Sequence, residues 1–300
     1  MLDPTIICFG LGVGILVGLT GIGGGSLMTP LLVLFAGVQP VVAIGTDLAY
    51  GAITKTLGGW RHWRKGTVDV GVSKWLAVGS VPGSLLGVLI VNRLHDAYGT
   101  GFDTKLLVGI AAALFVVSGS ILFRALFMPR LVERERESVV LTTGVRAGAA
   151  GIGFVLGLLV GGTSVGSGAL IGLALILVFR LTPHRVVGTD VFHAAVLLWT
   201  AGLAHWATGN VDLALMANIL VGSLPGVWIG TALISRVPAG GLRPALGCVL
   251  LGSALGVLSK AGADVPGWLI VAAPVAVGLC AAVLHRARRI RTRPPEAVPA

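Results

Sequence analysis

Two aspartates stand where charge is costly. Asp47 and Asp190 each lie about seven residues into a long apolar run, roughly 10 Å along a helix at its usual rise. Acids at that depth are candidates for ion coupling or gating. Each also ends a Gly-Thr-Asp triplet, and such a triplet can cap a helix start by accepting backbone N–H groups. The sequence leaves both readings open. One turn further on, on the same helical face, are Tyr50 and His193. They fit either a weakly polar pair facing a cavity or interhelical hydrogen bonds, with the second reading weighing more for Tyr50. Lys55 lies two turns beyond Asp47. It either neutralises a bound anion or extends its long side chain to the membrane surface.

Two small-residue stretches offer a different chemistry. The first, Thr20-Gly-Ile-Gly-Gly-Gly-Ser26, contributes Thr20, Gly21, Gly23, Gly24, Gly25 and Ser26. The second, Thr163-Ser-Val-Gly-Ser-Gly168, contributes Thr163, Ser164, Gly166, Ser167 and Gly168. Unwound backbone inside a membrane is tolerated only where it is buried in protein or lines a cavity. Where a helix restarts after such a break, its free N–H groups and dipole favour an anion. The competing reading is close helix packing on small residues. The stretches contain hydroxyls and glycines but no acid, which predicts a small anionic substrate near the bilayer midplane, with no cofactor and no metal. Cys8, Cys248 and Cys280 sit in apolar runs without metal-ligand spacing. His62 and His205, each beside a tryptophan, read as structural.

The elements that must position these residues are transmembrane helices. Of 300 residues, 55% are hydrophobic and 11% charged, against about 25% charged in a soluble domain. The 46 glycines suit close helix packing. The net charge of +10 gathers in short loops and the tail, as orientation signals do, so nucleic acid is excluded as a partner and the bilayer is the expected one. Runs of about 20 apolar residues divide the chain. Segment A covers 5–37, B 41–60, C 70–91 and D 106–127; A′ covers 147–179, B′ 186–206, C′ 213–234, D′ 242–258 and E 267–284. A and A′ are too long for one simple helix, and each is interrupted by its small-residue stretch. Asp69 and Asp212, in Gly-x-Val-Asp, read as helix starts.

The chain also repeats itself. Shifted by 143 residues, 14–93 matches 157–236 without a gap at 28 of 80 positions. The matches include Gly45-Thr46-Asp47 with Gly188-Thr189-Asp190, His62-Trp63 with His205-Trp206, and Gly79-Ser80-x-Pro82-Gly83 with Gly222-Ser223-x-Pro225-Gly226. The organisation read from this is a first repeat (1–127), a charged cytoplasmic linker (128–143), a second repeat (144–260), an extra transmembrane helix (261–285) and a basic cytoplasmic tail (286–300), expected to be disordered. Loop charge flips between the halves. Arg61, Arg64 and Lys65 follow B, while the B′C′ loop has neither Lys nor Arg; Arg180 and Arg185 precede B′, while the AB loop is uncharged. With a five-arginine tail, this predicts inverted halves with a cytoplasmic C-terminus. The fold class is all-α: a polytopic membrane bundle of two inverted repeats with glycine-interrupted first segments.

The break Gly18-Leu-Thr-Gly-Ile-Gly-Gly-Gly25, the Gly-Thr-Asp-Leu48 motif, the His-Trp-x-x-Gly-x-Val-Asp69 turn and their second copies resemble the sulfite exporter TauE/SafE family over about residues 6–258. The resemblance implies a multi-pass inner-membrane transporter of anionic sulfur compounds such as sulfite or sulfonate-derived acids. The expected function is therefore a secondary transporter, not an enzyme, with a proton or ion as a coupling partner. No Walker-type phosphate loop is present. Two other classes compete. An intramembrane aspartyl protease needs the two aspartates within hydrogen-bond reach. A non-transporting assembly protein needs no substrate cavity.

Overall fold

The computed structural model describes residues 3–20, 25–127, 136–233 and 239–291. The linker 128–135 and the tail from 292 lie outside them. The described chain is helical throughout: α1 (Pro4–Thr20), α2 (Gly25–Leu34), α3 (Pro40–Arg64), α4 (Val70–Tyr98), α5 (Thr100–Phe127), α6 (Thr143–Thr163), α7 (Ala169–Leu177), α8 (Pro183–Ala207), α9 (Leu213–Leu233), α10 (Ala239–Lys260) and α11 (Gly267–Arg291). Five are long and apolar enough to cross a membrane: α4, α5, α6, α8 and α9. The protein is a multi-pass membrane bundle. Segments A and A′ each form two helices. The Phe9 and Phe35 rings lie 6.0 Å apart, so the start of α1 meets the end of α2 and the pair folds back as a hairpin.

Contacts between the halves obey the 143-residue shift. A Cβ added at Gly10, Gly14 or Gly18 of α1 would lie 2.5, 2.4 or 2.5 Å from a carbonyl oxygen of Ile219, Ser223 or Val227 on α9. The counterparts Gly153, Gly157 and Gly161 of α6 meet Leu76, Ser80 and Ser84 of α4 at 2.1, 2.3 and 2.4 Å. Only glycine admits backbones this close. Association inside lipid depends on such packing, because lipid tails are as apolar as the helices. In both pairs the numbers rise together, so the helices run parallel. The central pair is different. Gly59 abuts Phe192, Gly51 abuts Leu198 and Gly202 abuts Ala49, so α3 and α8 run antiparallel. Trp199 donates from Nε1 to Thr56 Oγ1 at 2.8 Å, and these two residues are each other's repeat equivalents.

The two ends of the bundle differ in charge. At one end Arg185 donates to the Val68 carbonyl (3.0 Å), and Glu137 pairs with His184 and Arg185 at 3.3 and 3.6 Å. The basic α3–α4 loop and the basic 180–185 turn are therefore neighbours. At the other end the start of α3 meets the α8–α9 loop, which has no Lys or Arg, through Thr46 and Asp212. α11 packs mainly on α10 and turns Trp268, Val271 and Leu279 outward.

Candidate functional site

Helix geometry places the acids first. α3 starts at Pro40 behind Gln39 and runs unbroken past Asp47. α8 starts at Pro183 behind Thr182 and runs past Asp190. Both aspartates are about two turns inside a helix, so neither caps the start of its own helix; the threonines beside them do accept N–H groups at the starts of α9 and α4. The other two residues of each triplet hold the opposite half. Gly45 faces the Asn210 carbonyl and Gly188 the Thr67 carbonyl, at 2.2 and 2.5 Å from an added Cβ. Thr46 Oγ1 accepts from Asp212 N at 3.0 Å, and Thr189 Oγ1 from Asp69 N at 2.8 Å. Those loop aspartates cap α4 and α9 as the sequence predicts, accepting from Val72 N and Leu215 N at 3.0 and 2.9 Å. Each triplet aspartate, about 100° further round the helix, turns into the interior.

Asp47 meets the helix breaks there. Its Oδ2 accepts from Thr29 Oγ1 at 2.5 Å and from Ser164 Oγ at 2.9 Å, while its Oδ1 has no hydrogen-bond partner. A Cβ at Gly25 would lie 2.6 Å from the Ser164 carbonyl oxygen and 3.7 Å from Asp47 Oδ2. Gly166 N donates to Ser26 Oγ at 3.3 Å. The two breaks therefore touch each other. The expectation that they offer donors without an acid is corrected: Asp47 enters from α3 and accepts the hydrogen bond that the Ser164 hydroxyl donates. The signal for this was hard to find, because Thr29 lies outside the break and its repeat counterpart is Gly172.

The remaining hydroxyls are partly committed. Thr20 donates to the Leu16 carbonyl and Thr163 to the Leu159 carbonyl, both at 2.7 Å and in equivalent positions. Thr163 Oγ1 also accepts from Val165 N. Ser164 ends α6 in a left-handed conformation, φ 59°, Gly166 has φ 104°, Ser167 is buried, and Gly168 precedes α7. Gly21, Gly23 and Gly24 lie outside the described residues.

The second half is built differently. Asp190 is buried, and its Oδ1 has no hydrogen-bond partner. Lys55 and Arg124 act on it electrostatically. Lys55 does not reach the surface: it is 7% exposed and its Nζ makes no hydrogen bond. His193 Nε2 meets Ser80 Oγ at 3.2 Å. Its counterpart Tyr50 approaches Ser223, the counterpart of Ser80, whose Oγ makes no hydrogen bond. Ser80 and Ser223 had a sequence signal, the repeated Gly-Ser-x-Pro-Gly. His205 Nε2 is structural, meeting the Gly161 carbonyl at 3.0 Å.

The two acids do not meet. Along the antiparallel α3–α8 pair, Gly59 abuts Phe192, which sets Asp190 level with about residue 61 and on the order of 20 Å from Asp47 at helical rise. The paired carboxyls of an aspartyl protease are absent among the described residues. So is any group of three or more His, Cys, Asp or Glu side chains that could hold a metal. Buried side-chain atoms without a hydrogen-bond partner along these helices include Lys55 Nζ, Asp47 Oδ1, Asp190 Oδ1, His193 Nδ1, His205 Nδ1 and Ser223 Oγ. Buried polar groups are nearly always paired, so each of these atoms stands out among the described residues.

A family model described as sulfite exporter TauE/SafE matches residues 6–257. The chain is 39% identical over 254 residues to the probable membrane transporter protein YjnA of Bacillus subtilis (strain 168), covering 85% of this chain and 99% of that protein. It is 26% identical over 233 residues to YdhB of the same organism, also described as a probable membrane transporter protein, covering 78% and 91%. It is 33% identical over 104 residues to sulfite exporter TauE/SafE family protein 2 of Arabidopsis thaliana, covering 35% of this chain and 22% of that protein. No solved structure matches the chain.

Proposed function

We propose that this chain, which belongs to the sulfite exporter TauE/SafE family, is a secondary transporter of a small anion: sulfite, a sulfonate or a related sulfur-containing organic acid. The observation that carries the reading is the meeting of the two helix breaks inside the bundle, Gly166 N on Ser26 Oγ. Backbone N–H groups at broken helices can replace the water around an oxyanion. Lys55, buried and without a hydrogen bond, supplies the compensating charge. Thr20, Gly25, Ser26, Thr163, Ser164, Gly166, Ser167 and Gly168, with Gly21, Gly23 and Gly24, form the anion region; Asp47, Tyr50, Asp190 and His193 serve coupling or gating.

The halves are inverted repeats, 1–127 and 144–260, joined by a cytoplasmic linker. The antiparallel α3–α8 pair supports this, because equivalent helices that point opposite ways require a two-fold axis across them. The gathering of the basic loops at one end of the bundle supports the same orientation, with the tail cytoplasmic and the protein in the plasma membrane. The test is counterflow of sulfite, sulfonates and carboxylates in proteoliposomes. Wild-type protein exchanges at least one sulfur oxyanion, and Lys55→Gln and Gly25→Leu lose that exchange while still inserting. Full exchange by both variants sinks this anion site.

A further inference from the structure

The halves treat their equivalent aspartates unequally, and the inequality assigns them different tasks. Asp47 is 1% exposed. Two hydroxyls fix its Oδ2, and its Oδ1 stays bare. At Asp190 the counterparts of Thr29 and Ser164 are Gly172 and Gly21, which have no hydroxyl. Lys55 and Arg124 act on Asp190 electrostatically instead, and the counterpart of Lys55 is Leu198. None of the ion pairs among the described residues involves Asp47. α6 also ends against Asp47, at the left-handed Ser164. The negative end of that helix's dipole and its unspent carbonyls therefore lie beside the carboxylate. A bare carboxylate oxygen in a dry interior is costly. Around it lie the Thr29 and Ser164 hydroxyls, a hydrogen bond from the Thr29 backbone and, across Gly25, the Ser164 carbonyl oxygen.

We propose that Asp47, Thr29 and Ser164 form the binding site of the coupling monovalent cation, a proton or a sodium ion, and that Asp190, which lacks the equivalent hydroxyls, is not a second such site. The proposal rests on the transport reading above and, of its coupling and gating roles, gives coupling to Asp47 and leaves gating to Asp190. Unwound backbone and the C-terminal ends of half-helices hold the coupling ion in transporters built from repeats. A cation at Asp47 also bridges α2, α3 and the end of α6, so its presence reports on whether the two breaks are closed against each other. The other groups facing Asp47 are Tyr50 on its own helix and, near Gly45, His205 on α8, which is already bonded to the Gly161 carbonyl.

Two measurements test this. In detergent, the unfolding temperature of wild-type protein rises on adding sodium against N-methylglucamine, or on lowering the pH, because a ligand bound only to the folded state stabilises it. Whichever arm responds names the cation. Asp47→Asn abolishes the rise, Thr29→Val weakens the cation's apparent affinity on the order of tenfold, and Asp190→Asn and His205→Gln keep it. In proteoliposomes, Asp47→Asn loses gradient-driven accumulation but keeps anion counterflow, whereas Asp190→Asn still couples. A cation response that survives in Asp47→Asn overturns the proposal, and so does its loss in both aspartate variants. If wild-type protein exchanges no anion, the transport reading falls, and the thermal measurement still decides the cation site.

Discussion

Replacing Gly79 by alanine tests the glycine seam between the halves. A Cβ at that position would lie 1.8 Å from the Ala150 carbonyl oxygen. Real Cβ atoms do not approach within 3.0 Å, so α4 and α6 must separate locally by about 1.2 Å. A gap of that size removes half or more of each dispersion contact it opens; for roughly 15 atom pairs at about 0.1–0.2 kcal/mol each, that is about 1 kcal/mol. Residual overpacking strain adds about 1–3 kcal/mol, and the better helix propensity of alanine returns up to about 1 kcal/mol. The expected net loss is about 1–3 kcal/mol. The counterpart Gly222, at 2.0 Å from the Ile7 carbonyl, should lose a similar amount in Gly222→Ala. Gly109 and Gly119 of α5 meet nothing within 4 Å, so alanine there should be neutral or mildly stabilising. The assay is thermal or SDS unfolding in detergent. If Gly79→Ala and Gly222→Ala unfold with the α5 controls, the seam does not carry the contact between the halves.

Three further outcomes follow from the same geometry. Lys55→Leu and Asp190→Asn should each cost about 3 kcal/mol by leaving a buried charge uncompensated, while the double variant recovers most of it; additive losses in an unfolding cycle would mean that the two charges do not compensate each other. Thr46→Val and Thr189→Val remove equivalent acceptors and should each cost about 1–2 kcal/mol; unequal costs in unfolding measurements would show that the two interlocks differ. Single cysteines at Gly66 and Gly209, in a chain without Cys8, Cys248 and Cys280, should be labelled from opposite sides of the membrane, and labelling from one side would refute inverted halves.

Much of the molecule was legible because the membrane leaves few choices. Backbone in lipid must hydrogen-bond to itself, so apolar runs become helices and their number and order follow from composition. The 143-residue shift was legible for a related reason: Asp, His, Pro and Trp align only if both halves need the same special positions. α6 ended at Thr163 and α7 began at Ala169, on either side of the second small-residue stretch. Asp69 and Asp212 capped their helices because the capping pattern is local. The Gly-Thr-Asp triplet was legible only as an ambiguity. Its register inside the helix depends on where α3 and α8 start, which Pro40 and Pro183 set seven residues earlier.

Sequence alone determined that this protein is a membrane bundle of two related halves with polar, broken segments in its interior, because hydropathy and self-similarity are properties of the chain. Tertiary structure decided which polar atoms meet. Thr29 reaches Asp47 across 18 positions and Ser164 reaches it across 117, and neither separation leaves a trace in spacing. Only the packing of α2 and the α6 end against α3 puts an acid at the breaks, and only the antiparallel crossing of α3 and α8 holds its twin on the order of 20 Å away. Repeat symmetry predicts like surroundings for like residues. The sequence breaks that symmetry at Thr29, Lys55 and Ser164, whose counterparts are Gly172, Leu198 and Gly21, and the fold brings two of those differences to one carboxylate.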